Sequence, residues 1–208
     1  MKLHGYWRSG TSYRTRIALN LKGLAYEQAG IDLRTGDQRS DDYLDLNPQG
    51  LVPALETDDG PVLTQSPAIL EWLEERYPDP PLLPADPDDR AIVRAMAATI
   101  ACDIHPLNNL RVLNAVKEMG GDQKAWTARW IEAGFAALEV MIERHGGDFA
   151  FGTTPTLADC HLVPQVYSAE RFGVDLSPYP RLAAAAEHAH AIPAIAAAHP
   201  DRQPDADA

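Results

Sequence analysis

The sequence predicts an α/β N-terminal half joined to an all-α C-terminal half. Three observations carry this. Residues 1–81 alternate strand-like and helix-like patterns, Tyr77-Pro78-Asp79-Pro80-Pro81-Leu82-Leu83-Pro84 is a proline-rich break, and the chain beyond repeats apolar residues at helical spacing. The expected division is residues 1–81, a linker over 82–87, a helical region over 88–198 and a disordered tail over 199–208. That tail, HPDRQPDADA, lacks the apolar area needed to offset the entropy of ordering it.

Taken in order, Lys2 to Trp7 reads as a strand and Arg8-Ser9-Gly10-Thr11-Ser12 as a small polar turn with capping chemistry. A helix follows over 12–22, with Ile17, Ala18 and Leu21 on one face and Gly23 as its stop. Tyr26 to Ile31 is a second strand. Val52-Pro53 leads into a strand over 54–56, Asp58-Asp59-Gly60 turns, and residues 61–63 return as a hairpin. Ser66 is an expected N-cap with Pro67 in the first helical position, and Ile69, Leu70, Trp72, Leu73 and Tyr77 recur at helical spacing. The order βαβ(α)ββα is the thioredoxin-like arrangement.

In the second half, Asp88 to Ile104 reads as an amphipathic helix broken at Pro106, and residues 107–119 continue helically to Gly120-Gly121. Asp122 to Arg144 forms a helix carrying Trp126, Trp130, Ile131, Phe135, Leu138 and Met141. Thr156-Leu157-Ala158-Asp159 is a capping box opening an apolar helix. Two alanine-rich helices, near 180–190 and 193–198, complete the bundle.

A formal net charge of −12 argues against nucleic acid or an anionic membrane as partner. No apolar run approaches ~20 residues, so no membrane span is expected. The chain enters a strand-like KLHGYW without a signal-peptide core, and Cys102 and Cys160 lie too far apart for a CxxC pair. Both features favour a reducing cytoplasm, with the two thiols buried as small apolar groups. His188 and His190 stand two apart and face different sides of a helix, so no metal site is expected. An anionic substrate would need local arginines to overcome the overall field; Arg8, Arg14, Arg16, Arg111 and Arg171 are the candidates. Arg14 and Arg16 are assigned to surface cover or ion pairs.

The helix beginning near Gln65-Ser66 presents free N–H groups beside a proline-headed strand, a site suited to a carboxylate. A cis Val52-Pro53 bond would turn the backbone of Val52 outward to pair with a peptide-like ligand. An ordinary hairpin followed by a capped helix accounts for the same residues.

Three segments carry a more specific likeness: WRSGTSYRTRIALNLKG, then NPQGLVPAL with LTQSPAILEWLEERYP, and PTLADCHLVPQ. Over nearly its whole length the chain resembles the zeta-class glutathione transferases, nearest to the bacterial maleylpyruvate isomerases of the maleylacetoacetate isomerase family. Gly10 and Thr11 stand where the class signature has Ser and Cys, so any role at this position falls to hydroxyls. The resemblance implies glutathione as cofactor, a homodimer, and conversion of maleylpyruvate to fumarylpyruvate in aromatic-compound degradation. The reaction is thiolate addition, rotation about the resulting single bond and elimination. Preference for maleylacetoacetate, or general conjugation, is the alternative enzyme reading; a non-catalytic transferase-like interaction module is the alternative of another class.

The resemblance also implies roles. Ser9 or Thr11 stabilises the thiolate, Ser9 by its place in the class signature and Thr11 by its nearness to the helix start. Gln65 and Ser66 hold the γ-glutamyl carboxylate, Val52 pairs with the cysteinyl backbone, and Gln49 reaches the glycyl end. Asp103 meets the glutamyl ammonium, while His105 and Asn108 contact glutathione, His105 also as a proton-moving group. Arg8, Arg111 and Arg171, with Asn109, grip the small dicarboxylate substrate. The plain alternatives are helix caps for Ser9 and Thr11, a surface charge for Asp103, a structural hydrogen bond for His105 and a dipole-offsetting charge for Arg171.

Overall fold

The computed structural model describes residues 1–206, which fall into two compact units: residues 1–81 with the segment from Ile192 onward, and residues 82–191. In the first, β1 (Lys2–Gly5), β2 (Glu27–Gly30), β3 (Ala54–Glu56) and β4 (Val62–Thr64) form a sheet in the order β2-β1-β3-β4. β1 runs parallel to β2, and both β1–β3 and β3–β4 are antiparallel. The register places Leu3 against Leu55 and Leu55 against Leu63, an apolar row whose first two members are fully buried.

α1 (Gly10–Leu21) packs against α3 (Ser66–Arg76), with the short α2 (Asp41–Leu46) between β2 and β3 in sequence. Every residue of α1 from Ser12 to Leu19 is buried. Of the two roles expected for Arg14 and Arg16, surface cover or ion pairs, burial at 2% and 0% exposure removes the first. Arg14 Nη1 donates to Ser66 Oγ, and Arg16 donates to Ala198 O and Trp7 O. β1 ends at Gly5 rather than Trp7, where strand and helix approach so closely that a Cβ on Gly5 would lie 2.9 Å from Ser12 Oγ. Helix α1 begins at Gly10 rather than Ser12, because extended Ser9 caps it. Similarly, Ser66 is the first residue of α3 and Gln65 precedes it as the cap position.

In the second unit, Asp86 caps α4 (Pro87–Ala98) by accepting from the N–H groups of Asp88 and Asp89. The regular helix ends at Ala98 and not at the expected Ile104. A π-helical turn over Thr99–Ile104 and a 3-10 turn over His105–Asn108 then lead to α5 (Leu110–Glu118). Pro106 offers no N–H to the Cys102 carbonyl, and its ring crowds that oxygen, so the preceding turn widens. α6 (Gln123–His145) buries Thr127, Ile131, Phe135, Leu138 and Ile142 at helical spacing. α7 (Leu157–Phe172) packs on α4, α6 and α8 (Pro180–His190) and is buried over residues 157–165.

The returning segment belongs to the first unit. α9 (Pro193–Ala197) packs on α1, and Asn20 Nδ2 donates to Ala194 O at 2.9 Å. Residues 199–206 are ordered, which overturns the expected disordered tail; residues 207–208 lie outside the described residues. Gln203 is buried and donates to Ala197 O and His199 O, and the Asp205 carboxylate accepts from Trp7 N and Gln28 Nε2. The anchors are polar, and those of Asp205 are long-range, so the apolar content of the tail does not reveal them. Among the described residues no helix is long and apolar enough to cross a membrane.

Candidate functional site

The loop between β1 and α1 delivers the first group of residues. Ser9 accepts from Ser12 N–H at 3.4 Å, and its Oγ lies 2.8 Å from Thr11 Oγ1. Thr11 Oγ1 donates to the Val52 carbonyl at 2.9 Å. A carbonyl only accepts, so the Thr11 proton points to Val52 and Thr11 Oγ1 receives the Ser9 proton. The chain of donors therefore runs Ser12 N–H, Ser9, Thr11, Val52 O, at the positive end of α1. No acidic residue occupies the first turn of α1, and the Arg8 guanidinium lies over the Trp7 ring, 5.2 Å from its centroid.

The second group flanks the hairpin. The Val52–Pro53 bond is cis. The neighbouring Leu51 carbonyl is held by Tyr43 Oη at 2.7 Å and Asn47 Nδ2 at 2.6 Å. Burial pushes the Tyr43 hydroxyl up to about 12, with the Asn47 contact opposing, so it remains a donor at neutral pH. Gln65 sits at φ 67°, a left-handed conformation that a non-glycine residue adopts at a cost of order 1 kcal/mol and that clusters at ligand sites. Ser66 is buried beside it, its Oγ accepting from Arg14 Nη1 at 3.4 Å. Gln65 Nε2 donates to Gln49 Oε1 at 2.6 Å. The sequence reading sends these two glutamines to opposite ends of a tripeptide; here their side chains are bonded to each other.

In the second unit, Asp103 is exposed on the π-helical turn and His105 is half-buried at the start of the 3-10 turn. Asn108 has both side-chain polar atoms buried with no hydrogen-bond partner among the described residues. Such an amide is where a ligand's donors and acceptors are most valuable. Asn109 instead caps α5, its Oδ1 accepting from Arg111 N–H at 3.1 Å. Arg111 is exposed in the first turn of α5, and Arg171 lies near the end of α7 with its guanidinium 5.7 Å from the ring centroids of both Tyr167 and Phe172. Cys102, expected to be buried, is exposed on the π-helical turn; Cys160 is buried.

Asp159 is the most perturbed carboxyl of this unit. Its oxygens accept from Ala150 N–H, Thr156 N–H and Thr156 Oγ1, completing the capping box. Full burial nevertheless pushes it up to about 6. The box sets the start of α7 and exposes no atom for chemistry. Among the described residues, no three His, Cys, Asp or Glu side chains converge to hold a metal ion.

Sequence reasoning missed Arg14, Arg16 and Asp205. In TSYRTRIALN the two arginines are two residues apart, and only the presence of helices on several sides of α1 makes both faces interior. Nothing in the composition of the tail marks Asp205.

Family models for the glutathione S-transferase N-terminal and C-terminal domains match residues 8–76 and 124–188. A maleylacetoacetate isomerase of Pseudomonas aeruginosa is 51% identical, the alignment covering 99% of this chain and 98% of that protein. A holo structure of a maleylpyruvate isomerase, described as a bacterial zeta-class glutathione transferase, is 52% identical with a TM-score of 0.96, all of each chain being covered. A maleylacetoacetate isomerase of Methylobacterium extorquens, solved with bound malonate and glutathione, is 42% identical with a TM-score of 0.95, again covering both chains fully.

Proposed function

The chain belongs to the zeta class of the glutathione transferase family, and from that premise we propose that it is a glutathione-dependent cis–trans isomerase converting maleylpyruvate to fumarylpyruvate. The observation that carries the reading is the pair of hydroxyls on Ser9 and Thr11 at the start of α1, with Thr11 donating to the Val52 carbonyl. Residues of the first unit fit the cofactor: two helix starts free of first-turn acids and the left-handed Gln65 offer polar groups to a charged peptide. When bound, glutathione supplies the sulfur that adds to the alkene, allows rotation and leaves unchanged.

The chain's own residues do the rest. Ser9 turns its proton from Thr11 to the sulfur, exchanging a neutral hydrogen bond for a charge-assisted one. Thr11 keeps its own proton on the Val52 carbonyl, and Ser9 Oγ goes on accepting from Ser12 N–H. Holding a thiol of pKa ~8.5 two units lower takes about 2.7 kcal/mol, which one such bond and the α1 dipole together supply. Val52 pairs its backbone with the cysteinyl unit, Gln65 and Ser66 take the γ-glutamyl carboxylate, Gln49 braces Gln65, and Asp103 meets the ammonium. Arg8, Arg111 and Arg171 grip the substrate carboxylates and offset the negative charge that develops on the ketone oxygen. His105, when protonated, gives its proton to the enolate oxygen as addition forms it and takes the same proton back on elimination, and Asn108 bonds the bound peptide.

Purified protein given maleylpyruvate and maleylacetoacetate tests this. Isomerisation of the first with no net loss of glutathione supports the reading. Stoichiometric consumption of glutathione overturns it in favour of conjugation, and absence of glutathione binding overturns it in favour of an interaction module. Faster turnover of maleylacetoacetate identifies the alternative substrate, which relatives at 51% and 42% identity are named for. The reading includes a cytoplasmic homodimer; a sedimentation mass of one chain would overturn the dimer.

A further inference from the structure

Hydrogen bonds on both sides hold the β1–α1 loop that carries Arg8 and Ser9, with Tyr13 N–H donating to Ser9 O at 2.8 Å on the helix side. Tyr6 N–H donates to Ser12 Oγ at 3.3 Å and Ser9 N–H to Tyr6 O at 3.0 Å, both within the loop and helix. Arg16 Nη2 donates to Trp7 O at 2.8 Å, and the same guanidinium is tied by Nε to Ala198 O at 3.1 Å. Trp7 N–H donates to Asp205 Oδ2 at 2.9 Å, across 198 positions of sequence. The parallel pairing of β1 with β2 closes with Ile31 N–H on Gly5 O, so a carboxylate from the far end of the chain takes the place of a strand at Trp7. Asp205 is aimed by Gln28 Nε2 at 2.6 Å. It lies against Gly30, where an added Cβ would come within 3.2 Å of its own.

We propose that Asp205 is a positioning residue: its carboxylate latches the C-terminal segment onto the Trp7 amide and thereby sets where Arg8 and Ser9 stand, without touching cofactor or substrate. The peptide plane between Tyr6 and Trp7 is fixed on its N–H side by Asp205, and the next plane on its carbonyl side by Arg16. Release of the first frees the Tyr6–Trp7 plane to tilt about the Trp7 carbonyl that Arg16 still holds, and the tilt passes along the chain to Arg8 and Ser9. A shift of a fraction of an ångström in the Ser9 hydroxyl weakens its bond to a thiolate far more than it weakens binding of the rest of the tripeptide. The proposal rests on the reading of Ser9 as the thiol's donor.

The test compares the wild type with Asp205→Ala and Asp205→Asn. Asparagine keeps an acceptor for Trp7 N–H, and the Gln28 amide can flip to receive its NH2, so this variant restores the latch without the charge. Three quantities are read: hydrogen exchange of the Trp7 amide by NMR, the pH at which bound glutathione ionises by thiolate absorbance, and kcat and KM for isomerisation. Asp205→Ala is expected to speed Trp7 exchange and lower kcat by about tenfold each, raise the thiol ionisation pH, and leave the glutathione KM within about twofold. Asp205→Asn is expected to stay within about twofold of wild type throughout. Wild-type exchange at Trp7 in Asp205→Ala overturns the latch, and released exchange with unchanged kcat and thiol ionisation overturns its positioning role. A failure of Asp205→Ala to fold shifts the decision to Asp205→Glu, which displaces the carboxylate by one methylene; wild-type behaviour there also overturns the proposal. Failure of the isomerase reading is distinguishable, because the wild type itself would then be inert.

Discussion

Replacement of Ser9 by alanine tests the thiolate-activating geometry most directly. The variant loses the one hydroxyl whose proton is not committed to a carbonyl, while Thr11 stays on Val52 O. A hydrogen bond to a charged group is worth about 1.5–3 kcal/mol, and Thr11 recovers part of it by giving up Val52. The net loss is about 1.4 kcal/mol, which raises the bound thiol's pKa by about one unit. Below pH 6 the thiolate fraction, and with it kcat, falls about tenfold; above pH ~9 the two enzymes converge because both thiols are ionised. The lost cap adds a stability penalty at the low end of about 0.5–2 kcal/mol, since Ser12 N–H reaches Ser9 Oγ at a long 3.4 Å. Thiolate absorbance of bound glutathione against pH, together with the pH profile of kcat, reads the shift. A uniform loss of kcat at every pH, with the thiolate titration unmoved, refutes the argument. A shift confined to Thr11→Val would instead hand the role to Thr11.

Three further outcomes follow from named contacts. Alanine at Arg8, Arg111 or Arg171 should lower kcat/KM for the maleyl substrate by about ten- to a hundredfold each, while calorimetric binding of glutathione changes little; intact turnover in the triple variant removes the clamp. Because burial raises Asp159 to about 6, its contribution to stability is fully present below its unfolded pKa and is lost as pH rises through 6, a change of about 3 kcal/mol. Urea melts of Asp159→Asn should therefore show a larger deficit relative to wild type at pH 4 than at pH 7, and the reverse order would mean that its three donors outweigh burial. Gly134→Ala would press a methyl into Ile104 where α6 passes the π-helical turn, costing about 1–3 kcal/mol of overpacking, offset by about 1 kcal/mol of helix propensity. A lower Tm with raised KM for glutathione is expected, since that turn carries Asp103 and leads into His105; an unchanged Tm would show that Ile104 yields freely.

Local physics made much of the molecule legible in advance. The hairpin over 54–64 follows from Asp58-Asp59-Gly60 between two short apolar runs, and the start of α7 from a Thr–Asp pair at capping-box spacing. Thr11 and Val52 could be picked out by their nearness to a helix start and a proline-headed strand, whereas Ser9 came from the resemblance to the zeta class. Boundaries were less secure. The unwinding from Thr99 propagates backward from Pro106, and the start of α1 moves to Gly10 because Ser9 itself is extended.

The sequence by itself determined the elements, their order, and which short-range groups cap or turn them, since those depend on interactions a few residues apart. Only the tertiary structure decided that Arg14 and Arg16 are interior, that the Thr11 proton is held by Val52, that Gln49 and Gln65 join, and that Asp205 reaches Trp7. Each of those depends on a partner between 41 and 198 positions away or on what covers a helix face, except the Gln49–Gln65 bond, which spans 16 across the hairpin. Hydrogen-bond donors carry no mark in the sequence of the acceptor they will meet; the folded chain alone brings the two within 3 Å.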